Sequence, residues 1–254
     1  MLERLDHGAV REIRLARPPV NAFSPEFLTE LAGAVRAASA EGAGALVLSG
    51  REGMFSAGLD VPHFLTLDRD GVRAAWGAFF DVMRAVVDSP VPVAGALTGH
   101  APAGGCVLAL CCDWRVLAAG KYRIGLNEVE VGVRMPAPIL AVARHAVGLR
   151  QAERLCTTAE LLLPEEALRI DLVDEVVDVA EVVPRAVAWA QRMATLPPET
   201  LRATRALARR ELVESFASVE GDALEGFLDA WFSDEAQGAL RAVVERLAAK
   251  KKGS

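Results

Sequence analysis

The sequence predicts an α/β fold with a helical C-terminal part, on three observations. Strand-like and helix-like stretches alternate through the first half. Two short glycine segments, 55–60 (FSAGLD) and 102–106 (PAGGC), each close a strand-like stretch. From Pro136 onward the pattern is mostly helical. Such alternation suggests parallel strands joined by helical crossovers. The 254 residues suffice for a large core, and a composition of 52% hydrophobic and 24% charged residues is that of a globular chain.

Residues 10–15 (VREIRL) alternate apolar and charged side chains and read as a half-exposed strand. Next comes a well-marked helix, with Ser24 as N-cap and Pro25 in the first turn. Phe27, Leu28, Leu31, Val35 and Ala38 share its apolar face, and Gly42 stops it. Residues 45–49 (ALVLS) form a short buried strand leading into the first glycine segment. A helix over 72–87 places Trp76, Phe79, Phe80 and Met83 on one side. Residues 91–97 (VPVAGAL) read as a buried strand, with Pro92 near its start or on an edge.

After the second glycine segment, 106–112 (CVLALCC) has the length and composition of a buried helix, and 113–117 and 122–124 read as short strands. One further strand is expected at 174–177 (DEVV). Three helices, 199–212, 214–231 and 234–248, close the chain, with broad apolar faces that include Phe216, Leu224, Phe227, Trp231, Leu240, Val243 and Leu247. Faces this wide pack on a core or on another subunit. No repeat or low-complexity linker interrupts the chain. The expected division is a catalytic core over 1–196 and a helical region over 197–254.

The net charge of −6 argues against nucleic acid as a partner. Lys250, Lys251 and Lys252 make a short basic tail, read as a solvated end with a minor prospect of touching a phosphorylated ligand. No apolar run approaches the ~18 residues of a membrane span. Residues 1–10 do not read as a signal peptide. A cytoplasmic protein with no membrane partner is therefore expected. Cys106, Cys111, Cys112 and Cys156 lack metal-ligand spacing and are expected to be buried, reduced thiols. His7, His63, His100 and His145 show neither metal nor triad spacing, so no metal is expected.

The chemistry concentrates in three places. If 106–112 is helical, Gly104 lies at its N-terminus, where unpaired N–H groups favour negative charge and glycine admits a ligand close to the backbone. A plain strand–helix turn is the bland alternative. Ser56, Ala57 and Gly58 are three small residues in succession, with the Leu59 N–H following; Asp60 reads as a loop-shaping side chain. Together the two segments offer two amides to one carbonyl oxygen, the means of stabilising an enolate or a tetrahedral oxyanion. In 124–131 (IGLNEVEV), Glu128 stands among apolar residues, where desolvation raises a carboxylate's pKa and suits it to general-base work. Glu130 competes for that role, since in an extended segment the two side chains point the same way.

FSAGLD, GHAPAGGCVLALCCDWRVL, IGLNEVEVG and LVDEVV, in that order, resemble the crotonase family of enoyl-CoA hydratases and isomerases. The resemblance runs from about Val10 to about Leu247. SAGLD, PAGGC and IGLNE, together with the tail FLDAWFSDEAQGALRAVVERL, are most similar to the family's Δ3,Δ2-enoyl-CoA isomerase branch. This resemblance implies a crotonase-like spiral of ββα units, with C-terminal helices that build a homotrimer or a dimer of trimers. It implies an acyl-CoA substrate and no separate cofactor. The thioester oxygen would be held by the N–H groups of Leu59 and Gly104, with Glu128 as the catalytic acid/base. Ser56, Ala57, Gly58, Asp60, Gly105 and Asn127 would line the substrate. Hydratases of the family carry a second glutamate at the position of Val107, and dienoyl-CoA isomerases an aspartate at the position of Pro136. An aspartate nucleophile suited to halogenated aroyl-CoA chemistry is not found in place. Gly132 to Pro136 depart from the family's usual apolar or glycine-rich continuation, and Arg134 brings a charge toward the expected acyl pocket. The expected reaction is conversion of 3-enoyl-CoA to 2-trans-enoyl-CoA. The alternatives are hydration or another crotonase-type reaction, and acyl-CoA binding without catalysis.

Overall fold

The computed structural model describes residues 1–219 and 222–252. Its strands, in chain order, are β1 (Leu2–His7), β2 (Val10–Leu15), β3 (Ala45–Ser49), β4 (Gly53–Met54), β5 (Val93–Leu97), β6 (Gly99–Pro102), β7 (Trp114–Ala118), β8 (Ile124–Gly125) and β9 (Glu175–Val177). Helices α1 (Pro25–Ala40), α2 (Val61–Phe64), α3 (Arg69–Val87), α4 (Gly104–Cys111), α5 (Ala137–Thr158), α6 (Pro164–Arg169) and α7 (Val179–Ala194) alternate with them. The chain closes with α8 (Pro198–Ala208), α9 (Arg210–Glu214), a 3-10 turn (Ser215–Val219), α10 (Asp222–Trp231) and α11 (Asp234–Lys252).

One sheet runs β1-β2-β3-β5-β7-β9, parallel throughout except for the antiparallel β1–β2 hairpin. Its central strands β3, β5 and β7 are buried on both faces, as a parallel sheet requires, while the edge strands β1 and β9 are half-buried or exposed. On one face Ile13, Leu15, Leu46, Leu48, Leu97 and Leu117 pack with α1, α3 and α4. The other face is alanine and valine (Val10, Ala45, Val47, Ala94, Ala96, Val116, Ala118), and α7 packs against it through Val182, Ala186 and Ala190. Every residue of α4 is buried, so this helix has no polar face at all.

Local signals place the helices. Ser24 accepts from Phe27 N at 3.4 Å to start α1. Asp68 accepts from Gly71 N at 2.8 Å, so α3 begins at Arg69, before the expected residue 72. β1 was not expected: its side chains are half-buried or exposed, and its apolar signal is correspondingly faint. The expected strand at 122–124 instead forms as β8, because the Arg123 N–H is taken by His100 Nδ1 at 3.1 Å.

The single helix expected over 214–231 is divided. Ser215 and Ser218 turn their hydroxyls back onto the carbonyls of Leu212 and Ser215, competing with helical bonding, while Phe216 is drawn fully into the core. The helix expected over 199–212 breaks at Arg209 for a related reason. Its guanidinium turns inward to the Cys111 carbonyl at 2.8 Å and to Asp113 at 2.9 Å. Arg205 does the same, binding Asp113 and the carbonyls of Val86, Val87 and Ser89 at the end of α3. Two buried arginines therefore fasten α8 and α9 onto the ends of α3 and α4. Arg205→Ala takes the guanidinium donor from three buried carbonyls and from Asp113, and the expected loss of stability is about 3 kcal/mol. The urea midpoint measures it, and a shift below about 0.5 kcal/mol would contradict this anchoring.

The C-terminal helices also reach the far side of the core. Trp231 packs on Phe64 of α2 (6.0 Å between centroids) and edge-on to Trp76 of α3 (5.8 Å). α11 lies so close to Gly132 that a Cβ there would sit 2.8 Å from Ala239 Cβ. Among the described residues no helix is long and apolar enough to cross a membrane. Side chains of Lys250, Lys251 and Lys252, the expected basic tail, lie outside the described part.

Candidate functional site

A second sheet, β4-β6-β8, is parallel and very short, pairing Met54 with His100 and Pro102 with Gly125. Its three strands end at one edge, and the chain leaving each is one of the three segments marked out by the sequence. In parallel α/β architecture the carboxyl ends of the strands are where ligands bind.

After β4, Phe55 is buried and the chain turns at Gly58, whose φ of 83° suits glycine. Leu59 forms a lone parallel bridge with Phe23. Phe23 N donates to Gly58 O at 2.8 Å, and Asp60 N donates to Phe23 O at 3.0 Å. In that pattern the Leu59 N–H points away from Phe23, and among the described residues it has no acceptor. After β6 the chain passes through Ala103, a non-glycine residue at φ 47°, and enters α4 at Gly104. Ala103 N is held by Gly125 O at 2.9 Å. Gly104 N is one of the unpaired donors of the first turn and is likewise without an acceptor among the described residues.

These two turns press together backbone to backbone. A Cβ on Gly58 would lie 2.8 Å from Gly104 N, and one on Gly104 would lie 3.4 Å from Leu59 N. A Cβ on Gly105 would strike Ser56 O at 2.3 Å. Glycine at 58, 104 and 105 is what lets two unpartnered amides become neighbours, with the positive end of the α4 dipole behind one of them.

Beyond β8 the segment is neither extended nor helical but a turn. Glu128 O accepts from Val131 N at 3.1 Å and from Val133 N at 2.9 Å. That turn separates the two candidate acids: Glu128 is 5% exposed, whereas Glu130 faces outward toward Arg246 at 3.5 Å. Glu128 Oε2 is buried with no hydrogen-bond partner, and burial pushes its carboxyl up from 4.5 to about 7. Its charge is felt at Cys106, in the first turn of α4. Cys106 and Cys156 are buried, unbridged thiols. Burial first, and Glu128 second, raise both, Cys156 to about 11.

The remaining expected residues divide by what they touch. Ala57 and Asn127 are half-buried beside the turns, and Asn127 Oδ1 has no partner. Ser56, expected as one of three small residues along the substrate, is buried, and its hydroxyl bonds inside the protein, between Asn21 O (2.8 Å) and Gly58 N (3.1 Å). Asp60 caps α2 and pairs with Arg17 at 2.8 Å, which makes it a loop-shaping residue. Val107 is fully buried, Pro136 precedes α5, and the Arg134 side chain is exposed. His100 accepts from Arg123 N and lies edge-on to Tyr122. Among the described residues no group of His, Cys, Asp and Glu is arranged to hold a metal. The parts missed from sequence were Asn21 and Ala103, both at positive φ; an Asn two residues after Pro18-Pro19 was the available clue for the first.

The fold is shared with known proteins. The human mitochondrial enoyl-CoA delta isomerase 1 is 31% identical over 250 residues, covering 97% of this chain and 83% of the relative. The rat counterpart is 30% identical over 254 residues, covering 99% and 88%. These are mitochondrial by name, in contrast to the cytoplasmic location expected from sequence. A probable enoyl-CoA hydratase of Mycobacterium tuberculosis is also 31% identical, over 228 residues, covering 84% and 87%. The crystal structure of human mitochondrial delta3-delta2-enoyl-CoA isomerase superposes with a TM-score of 0.93 at 32% identity, covering 98% of this chain and 99% of that one. A sequence profile described as enoyl-CoA hydratase/isomerase matches residues 6–251. With nearly its whole length accounted for in this way, the chain belongs to the enoyl-CoA hydratase/isomerase family, the crotonases.

Proposed function

We propose that this enzyme converts 3-enoyl-CoA to 2-trans-enoyl-CoA by a proton shuttle on Glu128. The thioester oxygen rests on the N–H groups of Leu59 and Gly104, and the acyl portion passes along Ala57, Gly58, Gly105 and Asn127. Ionised Glu128 removes a proton from C2. The electron pair moves onto the thioester, and the enolate oxygen is stabilised by two amides already oriented for it. The carboxyl group then returns the proton at C4 as the double bond settles between C2 and C3. Atoms balance without water or a second acid, and coenzyme A is part of the substrate.

One observation favours isomerisation over hydration: position 107 is a fully buried valine. Hydration requires activation of water and proton delivery to carbon, work usually shared by two carboxylates. Identity to the named isomerases and to the probable hydratase is about equal, so the reading rests on this residue chemistry. Purified protein assayed with 3-hexenoyl-CoA and with crotonyl-CoA separates the two. Isomerisation of the first with slow hydration of the second is expected; rapid hydration of crotonyl-CoA would overturn the proposal.

The pH profile follows from the burial of Glu128. The base must be ionised, and its carboxyl titrates at about 7. kcat/KM should therefore rise with pH and level off above that value. A profile already flat at pH 5 would contradict Glu128 as the base. Leu207 on α8, Phe232 between α10 and α11, and Leu247 on α11 leave exposed apolar surface, area that a homotrimer or a dimer of trimers would cover.

A further inference from the structure

We propose that Asn21 and Ser56 are positioning residues that aim the Leu59 amide, an inference that rests on the proposed oxyanion role of that amide. Asn21 is fully buried at φ 50°, the left-handed region that asparagine tolerates better than most non-glycine residues. All its polar atoms are used. Its N–H donates to Arg17 O at 2.8 Å, and its Oδ1 accepts from Arg17 N at 2.9 Å. Its Nδ2 donates to Phe55 O at 2.9 Å, and its carbonyl accepts from Ser56 Oγ at 2.8 Å. Ser56 Oγ in turn accepts from Gly58 N at 3.1 Å.

The consequence falls on one peptide plane. Gly58 C=O and Leu59 N–H belong to the same trans peptide and point in opposite directions. Ser56 fixes the amide before that plane, and Phe23 N fixes its carbonyl at 2.8 Å. Phe23 stands two residues after Asn21, so the left-handed turn at Asn21 sets where Phe23 reaches the loop. Asn21 thus governs the plane from both sides, through Ser56 and through Phe23. No atom of this network needs to touch the substrate for the Leu59 N–H to depend on it.

The test uses the full-length enzyme and Asn21→Gly, which keeps the backbone conformation accessible, alongside Ser56→Ala and the double variant. The probe is para-dimethylaminocinnamoyl-CoA, whose charge-transfer band moves to longer wavelength when its carbonyl accepts strong hydrogen bonds. Wild type should show the red shift, and each single variant should lose at least half of it. kcat should fall about 10- to 100-fold with KM nearly unchanged. The double variant should be worse than either single, because Asn21→Gly removes the side-chain bonds to Arg17 N and Phe55 O while Ser56→Ala removes those to Asn21 O and Gly58 N. Variants that melt earlier yet keep the full shift and the wild-type kcat would overturn the positioning role. Should Asn21→Gly fail to fold, Ser56→Ala decides by the same readouts. Absence of a shift in wild type would remove the oxyanion reading itself and this inference with it, whereas a full shift in every variant removes the inference alone.

Discussion

Glu128→Gln is expected to retain acyl-CoA binding and lose turnover by at least about 10²- to 10⁴-fold, the range spanned by a general acid/base. The amide is nearly isosteric, so the turn at 128–133 and the two glycine turns stay in place, but it neither takes a proton from C2 nor returns one at C4. The same substitution carries an opposite signature in stability. Between 4.5 and about 7 the folded carboxyl keeps its proton while the unfolded one has lost it. The folded state therefore binds more protons across that window, and wild-type stability falls as pH rises through it, by about 3 kcal/mol in all. Glutamine has no such dependence. Relative to wild type, the variant should be more stable by up to about 3 kcal/mol at pH 8 and equal at pH 4. Urea unfolding at the two pH values gives the difference. A variant that turns over normally, or that is destabilised equally at both pH values, would show that the acid is not where burial places it.

Gly105→Ala is the second large effect. The added methyl would fall 2.3 Å from the Ser56 carbonyl oxygen, backbone against backbone, with no flexible side chain to yield. The contact is relieved only by separating the two turns that bring Leu59 N and Gly104 N together. A displacement of roughly 1 Å at such a site costs on the order of 10²-fold in rate, and overpacking removes about 1–3 kcal/mol of stability. Steady-state kinetics and thermal melting report both. A variant with unaltered kcat would mean that the amide pair is not set by this contact.

Much of the site was legible because its signals are local. Ser24 and Pro25 mark the start of α1, the ALVLS run is β3, and an apolar stretch without a polar face is the buried α4. Glycines 58, 104 and 105 were readable as close-approach positions, although not which contact each serves. What stayed hidden depends on tertiary structure. β4 and β8 have two residues each, too few for any period, yet they align the three turns. Glu128 and Glu130 are equivalent in the sequence. They part only because the chain turns immediately after β8, burying one and leaving the other beside Arg246. The hydrogen bonds of Ser56 were not legible because its partners, Asn21 and Gly58, meet only when distant turns fold together. The breaks around Arg209 and Ser215 follow from buried contacts that no helical periodicity records.

The resulting division of labour is simple. The large sheet and α7 supply rigidity, the small sheet sets the register of the turns, and the C-terminal helices are fastened by Arg205 and Arg209 and close over α2 and Gly132. Such a site holds a buried acid poised near neutrality and two amides without an acceptor among the described residues, all on short, well-braced segments.

The most direct test follows the hydrogen itself. With 3-enoyl-CoA deuterated at C2 and ordinary water as solvent, a shielded single-carboxyl shuttle delivers part of the label to C4 of the 2-trans-enoyl product. Product whose new C4 hydrogen comes from solvent in every turnover would contradict transfer by Glu128 alone.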